Sequence, residues 1–211
     1  MNYSFNELKL HQKLTKLTFW KQQLFLLTLC QRLLPGYNAF LMQANLNDRS
    51  ILLRLLEKAW NTLEAGINQK DFSEDARLAE QVAPDTAEYD SILVSTALDA
   101  TIATSLLMRS FTKANTTLIV EGATLVRDSI DMYVQELENI NPQSPELESM
   151  IENHPLMQLE LKTQNKEIDF IENLDEDLLI GIKAAKSRLY GYNQSCLGLQ
   201  KSNCSEEMKV R

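Results

Sequence analysis

The stretch ILLRLLEKAWNTL, Ile51 to Leu63, decides the fold. Its apolar residues, Ile51, Leu52, Leu55, Leu56, Ala59, Trp60 and Leu63, recur as adjacent pairs four positions apart. On a 3.6-residue period this draws one broad oily stripe along a helix. Arg49, Arg54, Glu57, Lys58, Asn61 and Glu64 fall on the other side. Asn47 or Asp48 is placed to cap its start, and Gly66 to end it in the left-handed conformation.

The same period continues in both directions. Upstream, residues 5–34 predict one or two helices, with Thr18 a candidate cap between them. Leu24, Leu26, Leu27, Leu29, Cys30, Leu33 and Leu34 leave almost no polar face, so the second half is expected at the centre of the molecule. Pro35-Gly36 is expected to break it, because proline cannot donate to the helical ladder. A short helix over 37–44 should follow. Downstream, Asp71 or Ser73 opens a short helix that Pro84-Asp85 closes. A helix over about 88–111 comes next, and Lys113 to Thr116 interrupt it. Ile119, Gly122, Val126, Ile130, Tyr133, Leu137 and Ile140 then mark the inner face of a long helix.

Asn141 to Ser149 (NPQSPELES) is the best linker candidate, with Ser144-Pro145-Glu146 shaped like a helix start. Beyond His154-Pro155, the spacing of Leu161, Ile168, Ile171, Leu178, Ile182, Ala185 and Leu189 favours one long C-terminal helix, 156–189, with a kink near Asp175. No stretch alternates with period two for long enough to predict a strand. The expectation is an all-α fold, a compact multi-helix bundle of roughly seven to nine helices with a long C-terminal helix. Residues 1–190 are expected to form a single all-helical domain, and 191–211 a flexible polar tail.

One residue breaks the bland pattern. From Ser91 to Met108 (SILVSTALDATIATSLLM) only Asp99 ionises. Burying an unpaired carboxylate is costly, so its charge must find a partner or be neutralised. The simplest expectation is an ion pair with Arg32 on the central helix, which would fix helix register more than it adds stability. The functional alternative keeps Asp99 at a cavity facing a small polar molecule, with Arg32, Tyr37 or Trp60 nearby.

Bulk properties exclude several classes. With 21 Lys+Arg against 29 Asp+Glu, the net charge is -8, which disfavours a polyanionic partner such as nucleic acid. No apolar run approaches the ~20 residues that a bilayer requires, and the first residues lack a secretory pattern. A cytoplasmic protein is expected. Three cysteines, Cys30, Cys196 and Cys204, are too few for a disulfide framework. Cys196 and Cys204 can pair, but two reduced thiols are the simpler expectation. The chain has two histidines, His11 and His154, and neither follows a glutamate by three residues as a di-iron bundle requires. His11 is read as a surface residue beside Glu7, and His154 as a turn residue. The acidic run Asp169, Glu172, Asp175, Glu176 and Asp177 lacks calcium-loop spacing and reads as a solvated face. No nucleophile elbow or phosphate loop occurs. Neither a metal nor a cofactor is expected.

LCQRLLPGYNAF (29–40), the Trp60 helix and ALDAT (97–101) together resemble the bacterial YjaG-like family, a family of unknown function. The likeness runs in order over about 17–189 and rests on Arg32, Pro35 and Tyr37 with the downstream ALDA. It implies an all-helical cytoplasmic protein and no particular activity. Gln31, Gly36 and Asn61 depart from the family's usual acidic residue, Asn and Glu. Asp99, Arg32, Tyr37 and Trp60 remain as the candidate ligand-binding or structural polar core. The leading functional expectation is association, with a second copy or another protein, through the 156–189 helix. The alternative is a ligand binder or unrecognised enzyme around Asp99 and Arg32.

Overall fold

The computed structural model describes residues 3–46, 50–67, 69–190 and 196–197. Among them all regular structure is helical. In chain order the helices are α1 (Glu7–Leu14), α2 (Phe19–Gln43), α3 (Ser50–Glu64), α4 (Ser73–Gln81), α5 (Val94–Thr112), α6 (Thr116–Leu137), α7 (Leu147–Asn153), α8 (Pro155–Glu172) and α9 (Leu178–Tyr190).

Helix α2 is the axis of the fold. It packs against α5, α6, α3 and α8, and Leu24 to Cys30 lie wholly inside. One contiguous core runs from Leu10 to Leu197. Thr18 precedes α2 at its cap position, as its sequence suggests. Gly66 ends the Ile51–Leu63 helix at φ +71°, and the expected cap at Asn47 or Asp48 lies outside the described residues.

The expected break at Pro35-Gly36 does not occur; α2 continues for 25 residues with Pro35 inside it. Proline removes one ladder bond, at a cost of about 3 kcal/mol. Each fully buried Leu or Phe returns roughly 1.5–3 kcal/mol, so burial on several sides outweighs the defect. Gly36 serves packing rather than a turn. A Cβ there would stand 2.7 Å from Thr96 Cγ2, where α5 crosses α2.

The single C-terminal helix is also corrected: α8 ends at Glu172 and α9 begins at Leu178. The buried Lys21 ammonium, on α2, donates to the main-chain oxygens of Glu172 (3.3 Å) and Leu174 (3.0 Å) and to the Glu176 carboxylate (2.7 Å). It thereby satisfies carbonyls that a helix end leaves bare. Asp177 Oδ1 then accepts from the amides of Leu179 (3.0 Å) and Ile180 (3.3 Å), which caps α9. The acidic run is therefore partly structural.

At Cys196 and Leu197 the chain departs from a loose tail. Both residues are buried, and the Cys196 amide donates to the Arg32 carbonyl at 3.2 Å. Cys30 and Cys196 are free thiols, while Cys204 lies outside the described residues.

Candidate functional site

The four residues selected from sequence stand on three helices. Arg32 and Tyr37, both buried, belong to α2. Trp60 is buried on α3, its ring under Lys186 of α9, whose ammonium lies 5.6 Å from the ring centroid and also pairs with Glu64 at 2.5 Å. Asp99, on α5, faces α6.

The expected Asp99–Arg32 pair is replaced by two separate arrangements. Arg32 forms a buried ion pair and hydrogen bond with Glu160 of α8. Burial works against the guanidinium's charge, and the Glu160 carboxylate more than offsets this, so the Arg32 pKa stands above its ordinary value. Gln164 Nε2 donates to the same Glu160 oxygen at 3.0 Å. One helical step on, Glu167 is 1% exposed, and its Oε2 lies 3.6 Å from the Arg188 guanidinium of α9. Neither Glu167 oxygen meets a hydrogen-bond donor among the described residues, and burial raises its pKa despite Arg188 and Arg32 nearby.

Sequence reasoning missed Glu160, Gln164 and Glu167. They share the inner face of α8 with Met157, Leu161, Ile168 and Ile171. The one local signal is their spacing, which places 160, 164 and 167 on the face that Leu161, Ile168 and Ile171 mark as inner.

Asp99 is partly buried, and its nearest charged group is another acid, Asp128 of α6. Burial first, and then the Asp128 charge, pushes its carboxyl up to about 7, against a hydrogen bond from the Ser129 side chain. Ser129 and Thr96 hydroxyls lie 3.0 Å apart across the same α5–α6 seam. Asp128 is itself raised by burial, although Arg127 pairs with it at 2.6 Å. Among the described residues this acid has no basic partner, and its surroundings disfavour the charged form.

A cleft with a pronounced charge balance lies elsewhere. Of about 520 Å³, it opens between α6, α7, α8 and the residues before α1. Phe5, Leu147, Ile151, Met157 and Leu161 give it an apolar floor. Glu7, Asp131, Glu148 and Glu152 supply four carboxylates against one guanidinium, Arg127. That guanidinium is already engaged by Asp128 and Asp131. A second cleft of about 250 Å³ shares Phe5 and Leu161 with the first. Its wall includes Ser4, Asn6, Lys9 and Gln164.

Two acids in that rim are tied down. Asp131 accepts from Gln135 Nε2 at 2.7 Å, and Glu7 accepts from the Thr124 hydroxyl at 3.4 Å. Glu148 and Glu152 are exposed. The arrangement suits a cationic group held beside apolar surface. It offers no nucleophile with an adjacent base, and among the described residues no trio of His, Cys, Asp or Glu is arranged to hold a metal. His154 caps α8, accepting from the Leu156 amide at 3.3 Å, and His11 is exposed.

Among the described residues the fold is all-helical, with a buried polar seam on α8. The chain belongs to the family described as "Protein of unknown function (DUF416)", which it matches over residues 9–200. It is similar to "Uncharacterized protein YjaG" of Salmonella typhimurium, at 26% identity over 90% of this chain and 95% of that one. The Escherichia coli K12 protein of the same description is 25% identical over the same shares. The crystal structure of a DUF416 family protein from Shewanella baltica superposes with a TM-score of 0.81. It covers 90% of this chain and 98% of that one at 24% identity, so it speaks for the fold. No described helix is long and apolar enough to cross a membrane.

Proposed function

We propose that this protein acts by association rather than catalysis, seating a basic, partly apolar segment of a protein partner in the cleft between α6, α7 and α8. The observation that carries this is the cleft's charge balance, four carboxylates around one already-paired guanidinium above an apolar floor. Clefts of this size suit a few side chains, and complementary charge favours encounter and selects partners. The net charge of -8 adds a long-range bias toward cationic partners. The 156–189 face expected from sequence contributes differently, as two helices whose outer sides leave Leu159, Leu179 and Ile180 exposed.

The second reading, a small-ligand site around Asp99 and Arg32, has less behind it, since Arg32 is paired with Glu160 and Asp99 meets Asp128 and Ser129. A cytoplasmic setting fits the proposal, because that is where basic protein segments and reduced thiols coexist.

The test is a displayed nonapeptide library, selected on the full chain and counter-selected on a Glu148→Lys/Glu152→Lys double variant. Enrichment of Lys- or Arg-bearing sequences with apolar residues on the native chain alone supports the proposal. Identical enrichment on both proteins, or none on either, overturns it. Light scattering addresses association with a second copy; a monomer across micromolar concentrations removes that version.

A further inference from the structure

Residues 3–6 precede α1 without helical structure and lie beside the cleft as an extended strap. One side chain, Gln158 of α8, grips its main chain. The Tyr3 amide donates to Gln158 Oε1 at 2.8 Å, and Gln158 Nε2 donates to the Tyr3 carbonyl at 2.8 Å. The same Nε2 donates to the Glu152 carbonyl at 2.7 Å, so three bonds fix the orientation of the carboxamide. A carboxamide reading both the N–H and C=O of one residue recognises backbone, whatever side chain that residue carries. Two positions on, Phe5 lines both clefts.

We infer that Tyr3–Asn6 is a resident stand-in, and that the partner binds as an extended segment that takes its place on Gln158 and sends a basic side chain into the acidic cleft. This rests on the association proposed above and adds what displaces what. The strap is a weak occupant. Its two main-chain bonds are modest in water, and Tyr3 and Phe5 are only half-buried against the core, so the entropy of ordering four residues offsets much of what holds it. Its sequence, Tyr-Ser-Phe-Asn, carries no charge, so it leaves Glu148 and Glu152 unanswered. A segment with the same backbone and one cation gains what the strap lacks. Phe5 and Leu161 are shared by both clefts, so withdrawal of Phe5 enlarges the space open to an incoming segment.

The probes are fluorescein-labelled peptides of residues 1–8, MNYSFNEL, and the same peptide with Phe5→Lys, the strap position that lines the acidic cleft. Full-length native protein, Phe5→Ser, Phe5→Ser/Gln158→Ala and Glu148→Lys/Glu152→Lys are titrated by fluorescence polarisation. The lysine peptide should bind Phe5→Ser about tenfold tighter than the native chain and lose about tenfold when Gln158 is removed. In the native protein, a saturating amount should also speed hydrogen exchange at the Tyr3 amide about tenfold, a readout that needs no variant to fold. Unchanged Tyr3 exchange with peptide bound, or binding indifferent to both Phe5 and Gln158, overturns the stand-in. Binding that depends on Gln158 but survives reversal of Glu148 and Glu152 supports the stand-in and overturns the acidic-cleft proposal. No binding of either peptide to any form overturns both.

Discussion

Asp99 shows how a lone acid in an apolar helix can be accommodated without a base. Its charged form is disfavoured by burial and by Asp128, which holds its carboxyl near 7 in the fold. In the unfolded chain an ordinary aspartate titrates near ~3.9. Between those values the folded protein keeps a proton that the unfolded chain has lost. Stability therefore falls as pH rises through this window and stays lower above it. Asp99→Asn should be close to neutral below about pH 4 and stabilising by on the order of 1–2 kcal/mol at pH 8. Urea melts at the two pH values check this, and destabilisation at pH 8 would show that the carboxylate has a cationic partner. Arg32 behaves oppositely. Arg32→Met leaves Glu160 buried and unpaired, with an expected loss of about 3–5 kcal/mol. Arg32→Met/Glu160→Met should lose much less than the sum of the single changes, which a double-mutant cycle measures.

Among the elements, helix existence was legible, and termination was legible where a local signal causes it, as at Gly66 and the polar break over 113–116, but not where packing decides it. The paired spacing in Ile51–Leu63 is a local pattern that only a helix satisfies, and it needed no tertiary knowledge. Pro35-Gly36 misled because its local penalty is real but smaller than the packing that α2 gains from its neighbours. The sequence marked only a kink near Asp175 and not a full break after Glu172, because Lys21, which holds that break, is about 150 residues away and reads as a surface lysine. Glu160 and Glu167 were passed over for a similar reason, since a glutamate on a helix is ordinarily solvated and only Arg32 on α2 makes 160 a core position. Of the candidate site, Asp99, Arg32, Tyr37 and Trp60 stand on α2, α3 and α5, and none of them lines the cleft between α6, α7 and α8, whose carboxylates each read locally as solvated helix residues.

Two element-scale outcomes follow. Lys21→Met should strand the carbonyls of Glu172 and Leu174, cost about 1–3 kcal/mol, and raise hydrogen exchange at the start of α9 before it does so in α5. Gly36→Ala should cost about 1–3 kcal/mol by forcing α2 away from α5. Thr96→Ser, which removes the obstructing Cγ2 and keeps the hydroxyl that meets Ser129, should recover most of that loss in thermal melts. Failure of the rescue would place the strain elsewhere.

The whole molecule is a set of helices wrapped on α2 and closed at one side by α9 and the Cys196–Leu197 turn. Both indoles of the chain face that closure. A Cβ at Gly181 would stand 2.9 Å from Trp20 Cη2, and the Trp60 ring lies beneath Lys186. Intrinsic emission is thus a built-in reporter of whether the last helix is seated. Under mild denaturant the spectrum should shift to the red, and acrylamide quenching should rise, while far-ultraviolet dichroism still records a helical chain. Coincident transitions in the two signals would mean that α9 leaves only when everything else does.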